Sequence, residues 1–204
     1  LLLSGVTSVM DMFWYPVETV RAARKVGMRV STGGFFFDGP GVTGGDLQTR
    51  IADAEAFFEE FGKAEDVFPA TLPHGAYTVG PENLKTAREI ADRHGGLFST
   101  HAAETKAEQD DIRGRYGSSV IRHLDYLDLL DEKTTLAHCV HLDDEEIEIL
   151  ARTSATVSHN PVSNLKLASG IARVPDMLEA GVNVALGTDG AISGNDLDMW
   201  MALR

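Results

Sequence analysis

The 204-residue sequence is short of several things, and each shortage removes a class of protein. Its only cysteine is Cys139, so no internal disulfide framework and no thiolate-cluster zinc site can form, which suits a reducing cytoplasm. Cations are scarce as well: 18 Lys plus Arg stand against 31 Asp plus Glu, a formal charge of −13. A surface so poor in clustered positive charge cannot neutralise phosphates, which argues against a nucleic-acid partner and against an anionic membrane. No apolar run approaches the roughly 20 residues that span a bilayer. No low-complexity tract, repeat or linker divides the chain, so residues 1–204 are expected to form a single domain. What remains, 43% hydrophobic and 24% charged residues, is enough to bury a core. The opening Leu1-Leu2-Leu3-Ser4-Gly5 has neither an initiator Met nor the charged flank of a signal peptide, and the chain is expected to start inside a larger fold.

Short β-branched runs alternate with amphipathic stretches, the rhythm of repeated βα units around a parallel sheet. Seven strands are expected: Val6 to Asp11, Arg29 to Thr32, Val67 to Leu72, Leu97 to His101, Thr134 to His138, Thr156 to His159 and Val182 to Asp189. Helices are expected over Pro16 to Val26, Leu47 to Phe61, Pro81 to His94, Lys106 to Leu130 with a break near Gly117, Asp143 to Ala151, and Val174 to Ala180. Pro81 suits a first helical turn, and Gly27 and Gly181 suit helix ends. The stretch Gly33 to Gly45 reads as a loop, either ligand-facing or a plain connector.

In βα proteins, chemistry gathers at the carboxyl ends of the strands. Here the third strand is followed by His74, the fourth ends in His101, the fifth in His138, the sixth in His159 and the seventh in Asp189. A single strand-end histidine is usually just a satisfied polar residue. Five such residues at equivalent places in consecutive units converge only if the strands close around a common centre, which favours a barrel over an open sheet. His101-Ala-Ala-Glu104 adds a carboxylic acid about one turn from an imidazole if a helix opens there. Leu186-Gly187-Thr188-Asp189-Gly190 sets a carboxylate after an apolar strand, where its charge needs a metal or another partner. His141 reads as a surface or helix-cap residue and Cys139 as a small core residue.

These motifs resemble the amidohydrolase superfamily, within it the methylthioadenosine/S-adenosylhomocysteine deaminases and the related triazine chlorohydrolases. The resemblance rests on Pro73-His74, His101-Ala-Ala-Glu104-Thr105, Ala137-His138-Cys139-Val140-His141-Leu142, Ser158-His159-Asn160-Pro161-Val162-Ser163-Asn164-Leu165-Lys166-Leu167 and Gly187-Thr188-Asp189-Gly190. It implies an α/β, TIM (β/α)8-type metal-dependent hydrolase barrel, of which strands two to eight are present while the first strand and a flanking β domain are missing. It implies one divalent metal ion, zinc first, with iron or manganese admitted by nitrogen and oxygen donors. His101 and Asp189 are then metal ligands. Glu104 is the acid that passes a proton to a ring nitrogen, and His138 steers the attacking water together with Asp189. His74, Glu104 and His159 contact substrate.

The implied reaction is hydrolytic deamination of a heteroaromatic amine, a purine nucleoside such as 5'-methylthioadenosine or S-adenosylhomocysteine. The same metal site also suits a chlorohydrolase or a guanine deaminase-like aminohydrolase. The intact protein is expected to be a homo-oligomer. Two departures stand out. The family's first strand ends in His-x-His, which occurs nowhere in these 204 residues, so two ligands are absent and the chain by itself is open to being inactive. The positions where relatives use arginine to bind an amino-acid carboxylate are Gly33 and Asp46, with Arg50 close by in sequence.

Overall fold

The computed structural model describes residues 1–204, which form two compact units, Ser4–Thr100 and His101–Arg204, with the first three residues divided between them. In the first unit the chain runs β1 (Ser8–Met10), α1 (Pro16–Val26), β2 (Arg29–Phe36), α2 (Leu47–Phe61), β3 (Val67–Pro73), α3 (Pro81–His94) and into β4 (Leu97–Ala102). Each strand pairs in parallel with the next, Ser8 opposite Arg29, Val30 opposite Val67 and Ala70 opposite Leu97. Helix boundaries follow local chemistry. Pro16 and Pro81 open α1 and α3, and Gly27 and Gly95 close them at φ of 74° and 69°. The Asp46 carboxylate caps α2 by accepting from the Thr49 amide at 2.9 Å. Val30, Phe36, Leu72, Leu84 and Ile90 fill the core.

One expectation fails here. Gly33 and Gly34 are not loop residues: β2 continues through them to Phe36, buried on both faces. The reason is close approach. A Cβ on Gly33 would lie 2.0 Å from the Ala70 carbonyl oxygen, and one on Gly34 would lie 2.4 Å from the Ala54 Cβ. The loop proper is residues 37–45, and Arg50 holds it. Its guanidinium, in a residue only 5% exposed, donates to the Phe37 carbonyl at 3.0 Å and to that of Gly39 at 2.8 Å, with Pro40 and Gly45 at 3.3 Å, and lies over the Trp14 ring. Arg50 is thus spent on backbone carbonyls, and Asp46 on its cap. His74, just past β3, sits among Phe35, Phe37 and Tyr77, with Nδ1 2.8 Å from the Thr78 hydroxyl. The same hydroxyl lies 3.2 Å from the Gly75 carbonyl, which ties the ring to the turn after β3.

The second unit contains α4 (Lys106–Tyr116), α5 (Val120–Tyr126), β5 (Thr134–His138), α6 (Asp144–Thr153), β6 (Thr156–His159), α7 (Pro161–Lys166), α8 (Val174–Glu179), β7 (Asn183–Leu186), α9 (Ala191–Gly194) and α10 (Met199–Leu203). The strands β5, β6 and β7 are parallel, Thr135 opposite Thr156 and Thr156 opposite Asn183. Gly117, at φ 71°, separates α4 from α5. A reciprocal Asp143–Glu146 capping box opens α6. Ile112, Leu124, Leu136, Leu150, Val157 and Met177 make the core. The short helix α7 lies inside the Ser158 to Leu167 motif, where the apolar pattern is too brief to announce it; Pro161 at its first position starts it.

At the entry to α4, Glu108 is 5% exposed and accepts from the Glu104 amide at 2.7 Å, while its Oε1 has no partner. Burial pushes its carboxyl up to about 7 against the pull of that amide. Between pH 4.5 and 7 the folded chain keeps a proton on Glu108 that the unfolded chain releases, so this group makes stability fall as pH rises through that window. Urea unfolding of the unmutated chain and of Glu108→Gln across that range should differ in pH dependence by about 3 kcal/mol, with the unmutated chain losing the more as pH rises. Replacing Arg50 by Lys, which cannot span the same carbonyls, should cost about 2 kcal/mol in the same assay and make residues 37–45 a protease target.

Candidate active site

The second unit brings five of the expected residues together at its strand ends. His101 lies at the end of β4, His138 closes β5, His159 closes β6, and Asp189 follows β7. Glu104 comes just after Ala103, whose φ of 52° turns the chain out of β4. His138 and Cys139 are also left-handed, at φ 78° and 46°, and Asp189 is at φ 57°. Non-glycine residues hold such conformations only where their surroundings over-determine them. Here the amides of Cys139, Val140 and His141 donate to the carbonyls of Ala102 and Ala103, all at 3.0 Å, which pins the turn after β5 onto the turn after β4. Gly187 lets β7 approach: a Cβ there would lie 2.1 Å from Asn160 Oδ1.

The side chains follow from this backbone. The His101 and His138 rings stack with centroids 5.5 Å apart. His138, 2% exposed, has Nδ1 2.8 Å from Asn164 Oδ1 and Nε2 3.8 Å from Glu104 Oε2. The second distance is too long for a direct hydrogen bond. Glu104 Oε1 accepts from the Ser169 hydroxyl at 3.4 Å. Asp189 accepts from the Ser163 hydroxyl and the Gly190 amide, both at 2.6 Å. Burial works against its charge, but Ser163, Gly190 and the His138 and His101 imidazoles outweigh it and hold the carboxyl below its ordinary range. His159 is lowered, first by burial and then by His138, and its Nδ1 is buried without a partner.

Two neighbours are worth separating from the site. Cys139 is fully buried, and burial drives its thiol far up, leaving it an inert core residue as expected. His141 is not a surface or cap residue: it is half-buried, and its Nε2 donates to the Ser169 carbonyl at 2.8 Å. Ser163, Asn164, Ser169 and Glu108 also meet the site residues, and their roles are not evident from sequence alone. The signal for the first two lay within the Ser158 to Leu167 motif, a hydroxyl and an amide on a short helix directly after a strand-end histidine. His74 belongs to the first unit and is described there. As metal donors, His101 and Asp189 offer nitrogen and oxygen of the right kind for zinc, and His101 lies near enough to stabilise the Asp189 charge. They fall short in number, since no group of three or more His, Cys, Asp and Glu side chains converges to hold an ion.

A 5-methylthioadenosine/S-adenosylhomocysteine deaminase from Aquifex aeolicus is 41% identical to the chain over 196 residues, 96% of this chain and 46% of that protein. A 5'-deoxyadenosine deaminase from Methanothrix thermoacetophila is 39% identical over 204 residues, covering 100% of this chain and 48% of that one. Among solved structures, an adenosine deaminase from Xanthomonas campestris with bound zinc superimposes with a TM-score of 0.95 at 31% identity, over 98% of this chain and 46% of that chain. The chain thus spans about half the length of the curated relatives it matches. The Amidohydrolase family model matches residues 1–204 from end to end, and with the α/β fold and the strand-end residues just described it places this chain in the amidohydrolase family.

Proposed function

We propose that the chain carries the acid–base side of an active site that hydrolytically deaminates an adenosine-type nucleoside, with 5'-methylthioadenosine and S-adenosylhomocysteine as the leading substrates. The observation that carries this reading is the placement of Glu104 Oε2 3.8 Å from His138 Nε2, beside an Asp189 held in its charged form. An acid and a base in different environments around one centre let proton donation and proton removal run at a single pH. The names of the relatives, deaminases of adenosine derivatives at about 40% identity, support the substrate class.

His101 and Asp189 would hold a divalent cation, zinc first, completed by donors beyond these two residues. When bound, such an ion supplies Lewis-acid activation of a water molecule. The chain's own groups do the rest. Asp189 and His138 Nε2 take the proton from the attacking water, whose oxygen bonds to the amine-bearing ring carbon. Glu104 gives a proton to the adjacent ring nitrogen, which draws electrons away from that carbon. The amino group then takes up the proton held at Asp189 and His138 and leaves as ammonia, while the adduct's hydroxyl proton returns to Glu104 and the ring keeps the water oxygen as a carbonyl. His159, neutral and half-buried, lines the substrate side. Arg50 is held by loop carbonyls and Asp46 caps a helix, so neither is set up to bind an amino-acid carboxylate. This favours 5'-methylthioadenosine over S-adenosylhomocysteine.

Glu104→Gln should lower kcat for ammonia release from 5'-methylthioadenosine by about 10²- to 10⁴-fold while KM moves little, since the amide cannot donate the proton. An unchanged kcat would remove Glu104 from the acid role. Treatment with a strong zinc chelator should abolish ammonia release, and added zinc should restore it; activity that survives chelation would count against the metal. Chloride release from a chlorotriazine with no ammonia from any nucleoside would shift the assignment to a chlorohydrolase.

A further inference from the structure

The segment from Asn160 to Gly170 reaches three of the site's ionisable groups. From α7, the Ser163 hydroxyl donates to Asp189 Oδ2 at 2.6 Å and Asn164 Oδ1 meets His138 Nδ1 at 2.8 Å. From the turn after α7, the Ser169 hydroxyl reaches Glu104 Oε1 at 3.4 Å. These three side chains are buried, Asn164 to 1% exposure, where a polar group survives only if its partners compensate its lost water. Each ends on a different ionisable group rather than on another member of the segment.

The segment is itself anchored. The Ser169 and Gly170 amides fold back onto the Asn164 carbonyl at 2.8 and 3.3 Å, through a left-handed Ala168 at φ 58°. His141 Nε2 grips the Ser169 carbonyl, and the Lys166 ammonium donates to the Ile192 carbonyl at 2.6 Å. A Cβ on Gly170 would lie 3.0 Å from Val140 Cγ1, so the segment lies close against the turn that carries His138.

We propose that residues 160–170 form a positioning strap, in which Ser163, Asn164 and Ser169 orient Asp189, His138 and Glu104, and in which the Asn164 side-chain Oδ1 fixes His138 in its Nδ1–H tautomer. An amide oxygen only accepts, so the hydrogen on this contact belongs to His138 Nδ1. In the neutral ring the Nε2 atom, 3.8 Å from Glu104 Oε2, then presents a lone pair, the form needed to take a proton. The buried Asn164 Nδ2 has no partner, so the bond to His138 is what holds this amide in place. The strap rests on the deaminase reading for its kinetic consequence and on hydrogen bonding alone for the tautomer.

The test pairs ¹⁵N NMR of the His138 ring in the intact protein with kcat and KM on 5'-methylthioadenosine, for the unmutated chain, Asn164→Asp and Asn164→Leu. The expected result is an Nδ1–H tautomer in the unmutated chain and in Asn164→Asp, lost in Asn164→Leu. The Leu variant should show kcat lower by about ten- to a hundred-fold with KM within about threefold, and the Asp variant should recover part of that loss. An Nε2–H tautomer in the unmutated chain overturns the proposal, as does an Asn164→Leu variant that keeps both tautomer and kcat. If no nucleoside is deaminated but the tautomer responds as stated, the deaminase reading fails and the tautomer claim stands. Should Asn164→Leu not fold, as judged by circular dichroism, Ser169→Ala removes only a hydroxyl. It should lower kcat by about tenfold with KM unchanged, and Ser169→Thr should restore it; full kcat in Ser169→Ala overturns the strap's hold on Glu104.

Discussion

Three backbone amides, those of Cys139, Val140 and His141, donate to the carbonyls of Ala102 and Ala103, and the placement of Glu104 and His138 depends on this lock. It ties the end of β4 to the end of β5, and so fixes His101 and Glu104 on one side and His138 on the other. Left-handed backbone at Ala103, His138 and Cys139 is unfavourable by about 1–3 kcal/mol at each residue. The amide–carbonyl bonds and the complete burial of Ala102, Ala103 and Cys139 hold it there. A looser joint would let the two side chains drift, and a misplacement of about 1 Å is enough to cost a large part of a catalytic rate.

Electrostatics act on this frame at short range. The surface is strongly acidic, yet the carboxylates near the site are tuned individually. Asp189 is kept charged by a hydroxyl, an amide and two imidazoles. Glu108, only four residues beyond Glu104, is pushed up to about 7 because burial dominates there. Burial and hydrogen bonding thus set these two carboxylates in opposite directions, and net charge says nothing about which carboxylate does what.

Much of the fold is legible in the sequence because its signals are local. Helices α1, α2 and α3 begin and end where proline, aspartate and glycine chemistry put them, and β5 and β6 match their apolar runs residue for residue. Gly33 and Gly34 look like loop in the sequence because glycine usually marks one; their place in β2 follows from tight contact with Ala70 and Ala54, which no local pattern reveals. Strand-end histidines and Asp189 stood out because polar residues after apolar runs are conspicuous. Ser163, Asn164 and Ser169 did not, since small polar residues on a short helix and in the turn after it look like ordinary surface, and their partners lie 26 to 65 residues away in sequence. His141 misled for the same reason: its partner, the Ser169 carbonyl, is 28 residues distant.

The central claim is that this site adds water to a purine ring carbon and expels ammonia. It is tested most directly by turnover of 5'-methylthioadenosine in ¹⁸O-labelled water, with mass analysis of the nucleoside product alongside an ammonia assay. The account predicts one labelled oxygen per product ring and one ammonia per turnover. A product with unlabelled oxygen, or a nucleoside returned unchanged by zinc-supplemented protein, would contradict it.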